Sequence, residues 1–306
     1  MDAETVTELL TGLCAQLGLE VGQVRRDEVR CWRLSGVERL HLSDGGTLIF
    51  KYAAAPFTDE AVVLRHVRSH GVPVPRLFAS VTNLGRLGML MEDLGDPVRR
   101  PTLVDAAAAA ASVHSAPTMS GLRIVDATTL AALPGSCLDS LAALAERGRW
   151  KDASDVSAGL TALGRVAEAR AQGARVSPFG LCHSEFHPTS VHIGPTGWKL
   201  LDWARAFTGP GLLDLASWQG TTEAADLDAL RALLDAYIAE GGPAEMLAER
   251  GGLAAERWAV GWHRLWVIEW YLRQCTTWVN DEATDPVYQR VIRRHLDEAL
   301  RCLDSA

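Results

Sequence analysis

His183-Ser184-Glu185-Phe186-His187-Pro188-Thr189-Ser190, followed after a short gap by Leu201-Asp202-Trp203, is the stretch on which the reading of this chain turns. Between the two segments lie apolar runs, Ser190 to Ile193 and Trp198 to Leu201, joined by Gly194-Pro195-Thr196-Gly197. Glycine and proline at that spacing favour a tight turn, so a β-hairpin is predicted there. It interrupts a half of the chain otherwise patterned for helices: Leu103 to His114, Thr128 to Arg147, Asp155 to Ala171, Leu227 to Ala239 and Ala254 to Val279.

Upstream the pattern differs. Val6, Leu9, Leu10, Leu13 and Leu17 recur at helical spacing over residues 4–18, predicting an opening amphipathic helix. From about Val29 short strands take over. Trp32 to Leu42 and Thr47 to Ala53 flank Ser43-Asp44-Gly45-Gly46, a strong hairpin signal that sets Lys51 on the second strand. A helix follows from Thr58 to Ser69, with Thr58 as N-cap and Asp59 and Glu60 in its first turn. Pro73 and Pro75 then force an extended passage into strands at Arg76 to Val81 and Gly88 to Met91. The expected fold is α+β with two lobes: residues 1–91 as a small lobe with an antiparallel sheet and one helix, and residues 92–306 as a larger, mainly helical lobe. No internal repeat or low-complexity linker separates them.

Composition narrows the function class. The chain has 306 residues, enough for two cores, with 48% hydrophobic and 22% charged residues. A net charge of −8 argues against a nucleic-acid partner, which needs clustered Lys and Arg. The six cysteines are scattered without C-x-x-C spacing and read as reduced thiols. Met1-Asp2-Ala3-Glu4 lacks a basic start and apolar run, and Ala106 to Ala111 is too short to span a bilayer. The expectation is a cytoplasmic protein with no membrane partner.

The segment from His183 to Asp202 resembles the aminoglycoside phosphotransferase and choline kinase-like family, whose protein-kinase-like fold carries H-G-D-x-H-P-x-N and then D-W or D-F. Lys51 after Leu48-Ile49-Phe50, Glu60, the run Gly88-Met89-Leu90-Met91-Glu92-Asp93-Leu94-Gly95, and Gly211-Leu212-Leu213-Asp214-Leu215-Ala216 extend the likeness over roughly residues 28 to 218. The resemblance implies ATP or GTP with Mg²⁺ as cofactors and transfer of a phosphoryl group to a hydroxyl. By the same resemblance Lys51 grips phosphates, Glu60 holds the lysine, Glu92, Leu94 and Gly36 border the nucleotide, and Asp202 and Ser190 ligate the metal. Glu185 accepts the acceptor's proton. His183 and Asp214 are structural.

The chain departs from the family pattern at Glu185, where aspartate is usual, at Ser190 in place of asparagine, and at Ser184 and Thr189 in place of glycines. In the covering turn Ser35-Gly36-Val37-Glu38-Arg39, an acidic Glu38 faces the phosphates and Arg39 offsets it. Trp258, Trp262, Trp266 and Trp270 recur every fourth residue along one helix face, mostly as core, with Trp266, Glu269 and Trp270 as candidates to bind a substrate, a cation among them. Two readings stay open: an active phosphotransferase for a small metabolite, an antibiotic or a Ser/Thr peptide, and a catalytically impaired pseudoenzyme serving as a binding or scaffold protein. A peptide acceptor would imply a separate modification enzyme as partner.

Overall fold

The computed structural model describes residues 1–304. In chain order the elements are α1 (Ala3–Gln16), β1 (Arg25–Cys31), β2 (Ser35–His41), β3 (Thr47–Ala54), α2 (Glu60–Ser69), β4 (Leu77–Asn83) and β5 (Arg86–Glu92). Then come α3 (Leu103–Ser115), α4 (Ala127–Glu146), α5 (Ser154–Arg170), β6 (Phe179–Cys182), β7 (Val191–Gly194), β8 (Gly197–Leu200), β9 (Phe207–Pro210), α6 (Leu212–Ser217), α7 (Leu227–Ala239), α8 (Ala255–Arg273) and α9 (Asp285–Leu303). This is the expected α+β arrangement. It condenses into two compact units, 1–101 with 189–206, and 102–188 with 207 onward.

In the first unit the sheet runs β1-β2-β3-β5-β4, and every neighbouring pair is antiparallel. Asp2 caps α1 by accepting from the Thr5 N–H at 2.8 Å. The buried stripe Val6, Leu9, Leu10, Leu13 and Cys14 packs against Leu40, Phe50, Tyr52, Ala79 and Leu90 of the sheet. Strand residues alternate faces, so Phe50 and Tyr52 turn toward α1 while Lys51 points to the opposite side. Two expectations shift by a few residues. The N-cap of α2 is Asp59 rather than Thr58; no side chain caps it, and the Asp59 carbonyl accepts from Val62 and Val63 N–H. Residues 35–39 are not a turn but lie within β2, paired on both sides, and the β1–β2 connection is Trp32-Arg33-Leu34. β1 is exposed along its whole length, so it carries no apolar alternation to read.

The β7–β8 hairpin forms about the predicted Gly194-Pro195-Thr196-Gly197 turn, with Val191 opposite Leu200 and Gly194 opposite Gly197. It groups with the first unit because Leu200 N–H donates to the Pro73 carbonyl, Val98 N–H donates to the Ile193 carbonyl, and Lys199 pairs with Glu92. The first unit therefore extends to Pro101 and recruits residues 189–206, where the sequence suggested a single cut after residue 91.

The second unit is a helical assembly with a two-stranded β6–β9 ladder. A capping box opens α3, with Thr102 and Asp105 exchanging hydrogen bonds. Among the described residues α4 is long and apolar enough to cross a membrane by length and composition, but Leu130, Leu133, Leu141 and Leu144 are buried and it packs along α5 and α8. α8 ends earlier than expected, at Arg273, in a π turn over Gln274–Trp278. Trp258 and Trp262 are fully buried and both donate to the Arg170 carbonyl, which accounts for half of the tryptophan stripe as core.

Candidate active site

Lys51 sits at the centre of the first unit's polar cluster. Its Nζ donates to Glu60 Oε1 at 2.8 Å and to Asp202 Oδ1 at 2.6 Å, joining β3, the first turn of α2 and the residue after the hairpin. Burial alone would lower the Lys51 pKa, but Glu60 and then Asp202 outweigh it and hold the ammonium above its ordinary value. Burial raises Glu60, and Lys51 partly counters that. Glu60 Oε1 also accepts from Trp203 N–H at 3.2 Å, and Trp203 is fully buried with its indole N–H on the Leu200 carbonyl. Asp202 takes a left-handed backbone, φ 67°, which swings the chain out of β8 at that residue. Arg30 approaches Asp202 Oδ2 at 3.3 Å from an exposed position. Leu201 N–H donates to the Ser190 carbonyl at 2.8 Å, extending the β7–β8 ladder, so Ser190 and Asp202 leave the same end of the hairpin.

In the second unit, β6 delivers the loop His183 to His187. Asp214, 1% exposed in the first turn of α6, accepts from His183 N–H at 2.6 Å and from Ser184 N–H at 2.7 Å. Its carboxylate thus clamps the backbone just before Glu185, which is half-buried. His114, at the end of α3, faces Asp214 Oδ2 at 3.4 Å and the Tyr237 hydroxyl at 3.1 Å. His114, Cys182 and Asp214 bring their polar atoms within 4.8 Å of one another. They read as a brace rather than a metal centre, since both Asp214 oxygens accept backbone hydrogen bonds. Burial also raises the Cys182 thiol well above its ordinary pKa, keeping it protonated.

The phosphotransferase enzyme family matches residues 39–249, more than half of the sequence. The chain belongs to that family. A comparison with curated proteins finds no match. Among solved structures, a choline/ethanolamine kinase family protein from Mesorhizobium loti is 17% identical, with TM-score 0.65 over 96% of this chain and 99% of the other. An aminoglycoside-3'-phosphotransferase of type VIII is 18% identical, with TM-score 0.57 over 86% and 98%. An amicoumacin kinase in complex with AMP-PNP and Ca²⁺ is 12% identical, with TM-score 0.64 over 97% and 94%. At these identities the likeness is one of fold.

In this phosphotransferase-family chain the remaining candidates fall as follows. Glu92 is held as a strut: both carboxylate oxygens accept from Lys199 at 2.7 Å, and Oε2 accepts from Arg76 N–H. Burial opposes its ionisation, but Lys199 and the Arg76 N–H overcome this and keep its pKa low. Leu94 is half-buried beside it. Gly36 is required by packing, because a Cβ there would lie 2.2 Å from the Tyr52 ring. Glu38 does not stand uncompensated, since Arg26 pairs with both its oxygens, and Arg39 is spent on Asp93. Trp266 is 6% and Glu269 3% exposed, Glu269 is ion-paired with Arg273, and Trp270 packs against Trp278 at 4.5 Å. Arg30, His114 and Lys199 were not singled out from the sequence; each reaches its partner across more than 90 residues, and no local pattern marks such a contact.

The strained residue of the loop is Ser184. It adopts φ 80° where the family pattern has glycine, and its buried hydroxyl makes no hydrogen bond. A non-glycine residue in that region costs about 1–3 kcal/mol, and an unsatisfied buried hydroxyl about as much again, against about 0.5–1 kcal/mol of unfolded-chain entropy that glycine restores. Ser184→Gly is therefore expected to stabilise the protein by about 1–5 kcal/mol, read from the urea midpoint at unchanged slope; a less stable variant would show that Ser184 is relaxed in place.

Proposed function

We propose that this protein transfers the γ-phosphoryl group of ATP, with Mg²⁺, to a hydroxyl of a small molecule in the cytoplasm. The observation that carries the reading is the Lys51 ammonium held between Glu60 and Asp202, at 2.8 and 2.6 Å. Phosphoryl transfer asks the protein mainly for positioning and charge neutralisation, and this triad supplies a fixed cation beside a hard anionic oxygen. Asp202, a quarter exposed at its side chain, suits a magnesium ligand, with the Ser190 hydroxyl at the same hairpin end as a second oxygen. When bound, the metal neutralises phosphate charge. Lys51 binds phosphate oxygens, Glu60 fixes the lysine, and Glu185 takes the proton from the acceptor hydroxyl. Membership of the phosphotransferase family supports the reaction class, and the amicoumacin kinase with AMP-PNP and Ca²⁺ supports nucleotide and divalent metal. The choline/ethanolamine kinase family and aminoglycoside neighbours favour a small acceptor over a peptide.

Incubation with MgATP and a panel of small alcohols tests this, with ADP release as readout. Acceptor-dependent ADP is expected, falling about 100-fold or more in Glu185→Gln. MgATP binding without acceptor-dependent ADP would favour the impaired-enzyme reading instead, and an unchanged Glu185→Gln rate would remove Glu185 from the chemistry.

A further inference from the structure

The second unit holds a charged aromatic cluster that the centre described above leaves unused. Arg123 lies exposed in the connection from α3 to α4, where its carbonyl accepts from Thr208 N–H at 2.9 Å. Its guanidinium lies over the Trp266 ring, 4.6 Å from the centroid. Among the described residues it has no carboxylate at ion-pair distance and no side-chain hydrogen bond, so its fork of N–H donors is unspent on the protein. Three residues further along α8, the buried Glu269 carboxylate is already held by Arg273. Glu269 is thus neutralised by Arg273, and the positive charge of Arg123 is left without an ion-pair partner among the described residues on a chain of net −8.

The cluster is tied to the catalytic loop by direct contacts. Trp266 packs on Phe207 at 5.4 Å, and Phe207 pairs with Cys182 at the end of β6, immediately before His183-Ser184-Glu185. An arginine stacked on an indole is pre-oriented and weakly hydrated, and its planar fork matches a carboxylate or phosphate in two-point contact. A cationic acceptor would meet Arg123 already over the ring face, with Glu269 neutralised by Arg273. The sequence alone cast Glu269 as an attractor for cations; its neighbours reverse the sign of the spot.

We propose that Arg123, seated on Trp266 beside the Glu269–Arg273 pair, recognises an anionic group of the acceptor, so that the hydroxyl substrate carries a carboxylate or phosphate rather than an amine. This rests on the phosphotransferase reading and names its substrate class.

The test uses the full chain with MgATP and three matched alcohols: para-hydroxymethyl benzoate, para-hydroxymethyl benzylamine and para-hydroxymethyl benzyl alcohol. The benzoate is expected to have a KM about tenfold or more below that of the amine. Arg123→Glu should reverse that order with kcat within about threefold and KM for MgATP unchanged, whereas a nucleotide-binding role would move the latter. Arg123→Lys should recover part of the preference, since it keeps the charge without the fork. Preference for the amine, or an order indifferent to Arg123→Glu, overturns the inference while leaving the phosphotransferase reading intact. If no alcohol yields ADP, that reading fails by itself. Thermal shift with the same three compounds then decides the anion site: benzoate-selective stabilisation lost in Arg123→Glu upholds it, and its absence refutes it.

Discussion

Asp214→Ala is expected to destabilise the protein by about 2–6 kcal/mol, a large share of the about 5–15 kcal/mol that holds an ordinary domain folded. Asp214 is 1% exposed and accepts two short backbone hydrogen bonds, from His183 and Ser184. Truncation leaves both N–H groups buried without an acceptor, and each such loss costs about 1–3 kcal/mol. His114 does not stand in for the carboxylate, since its ring already faces Asp214 Oδ2 through Nε2 at 3.4 Å and the Tyr237 hydroxyl through Nδ1 at 3.1 Å. Asn, which keeps one carbonyl oxygen, should fall between wild type and Ala. Urea unfolding measures the series, and an Ala variant within about 1 kcal/mol of wild type would mean the loop finds other partners. The consequence for function is direct: the residue after the clamp is Glu185.

Lys51→Met is expected to lower acceptor-dependent ADP formation by about 100- to 1,000-fold, the usual effect of removing a preorganised charge that faces developing negative charge. It should also unbalance the interior. Glu60, 1% exposed, would keep its carboxylate without its principal cation, a loss of about 3–5 kcal/mol. The pH dependence has a defined sign. Burial already raises Glu60, and without the lysine it rises further, so the folded variant holds a proton that the unfolded chain releases. Stability of Lys51→Met should therefore fall as pH rises from the ordinary carboxylate range near 4 toward the raised value. Lys51→Met/Glu60→Gln should regain most of the stability and none of the turnover, which separates the structural part of the pair from the chemical one. A double variant as unstable as the single one would contradict this division.

The polar core of the site was legible in the sequence because motif spacing survives even where individual residues change. Lys51, Glu60 and Asp202 were named together from the resemblance of their motifs and spacing to the phosphotransferase family, and they meet within hydrogen-bonding distance. The hairpin was legible from its Gly-Pro-Thr-Gly turn. What stayed hidden has physical causes. β1 has seven exposed residues and therefore no alternation. α9 buries Ile292, Leu296, Ala299, Cys302 and Leu303 at helical spacing with arginines at 290, 293, 294 and 301 between them, an amphipathic pattern that the sequence carries but that was not among the helices expected from it. The role of Gly36 is set by the ring of Tyr52, its partner on the adjacent strand β3, and Glu92's strut by a lysine 107 residues later. Trp258 and Trp266 have the same identity and the same helix face, yet one is anchored to a carbonyl and the other carries a guanidinium. Only tertiary contact distinguishes them.

Magnesium-dependent ATP binding bears most directly on the Lys51–Asp202 centre. Thermal unfolding of wild type and Asp202→Asn, with ATP, Mg²⁺, both or neither, measures it. Wild type should gain about 2.7 kcal/mol at ATP concentrations about 100 times the dissociation constant, with the larger share appearing only when Mg²⁺ is present. Asp202→Asn should lose the magnesium-dependent share. Equal stabilisation of both proteins, or none in wild type under any condition, would contradict a nucleotide–metal site at this pair.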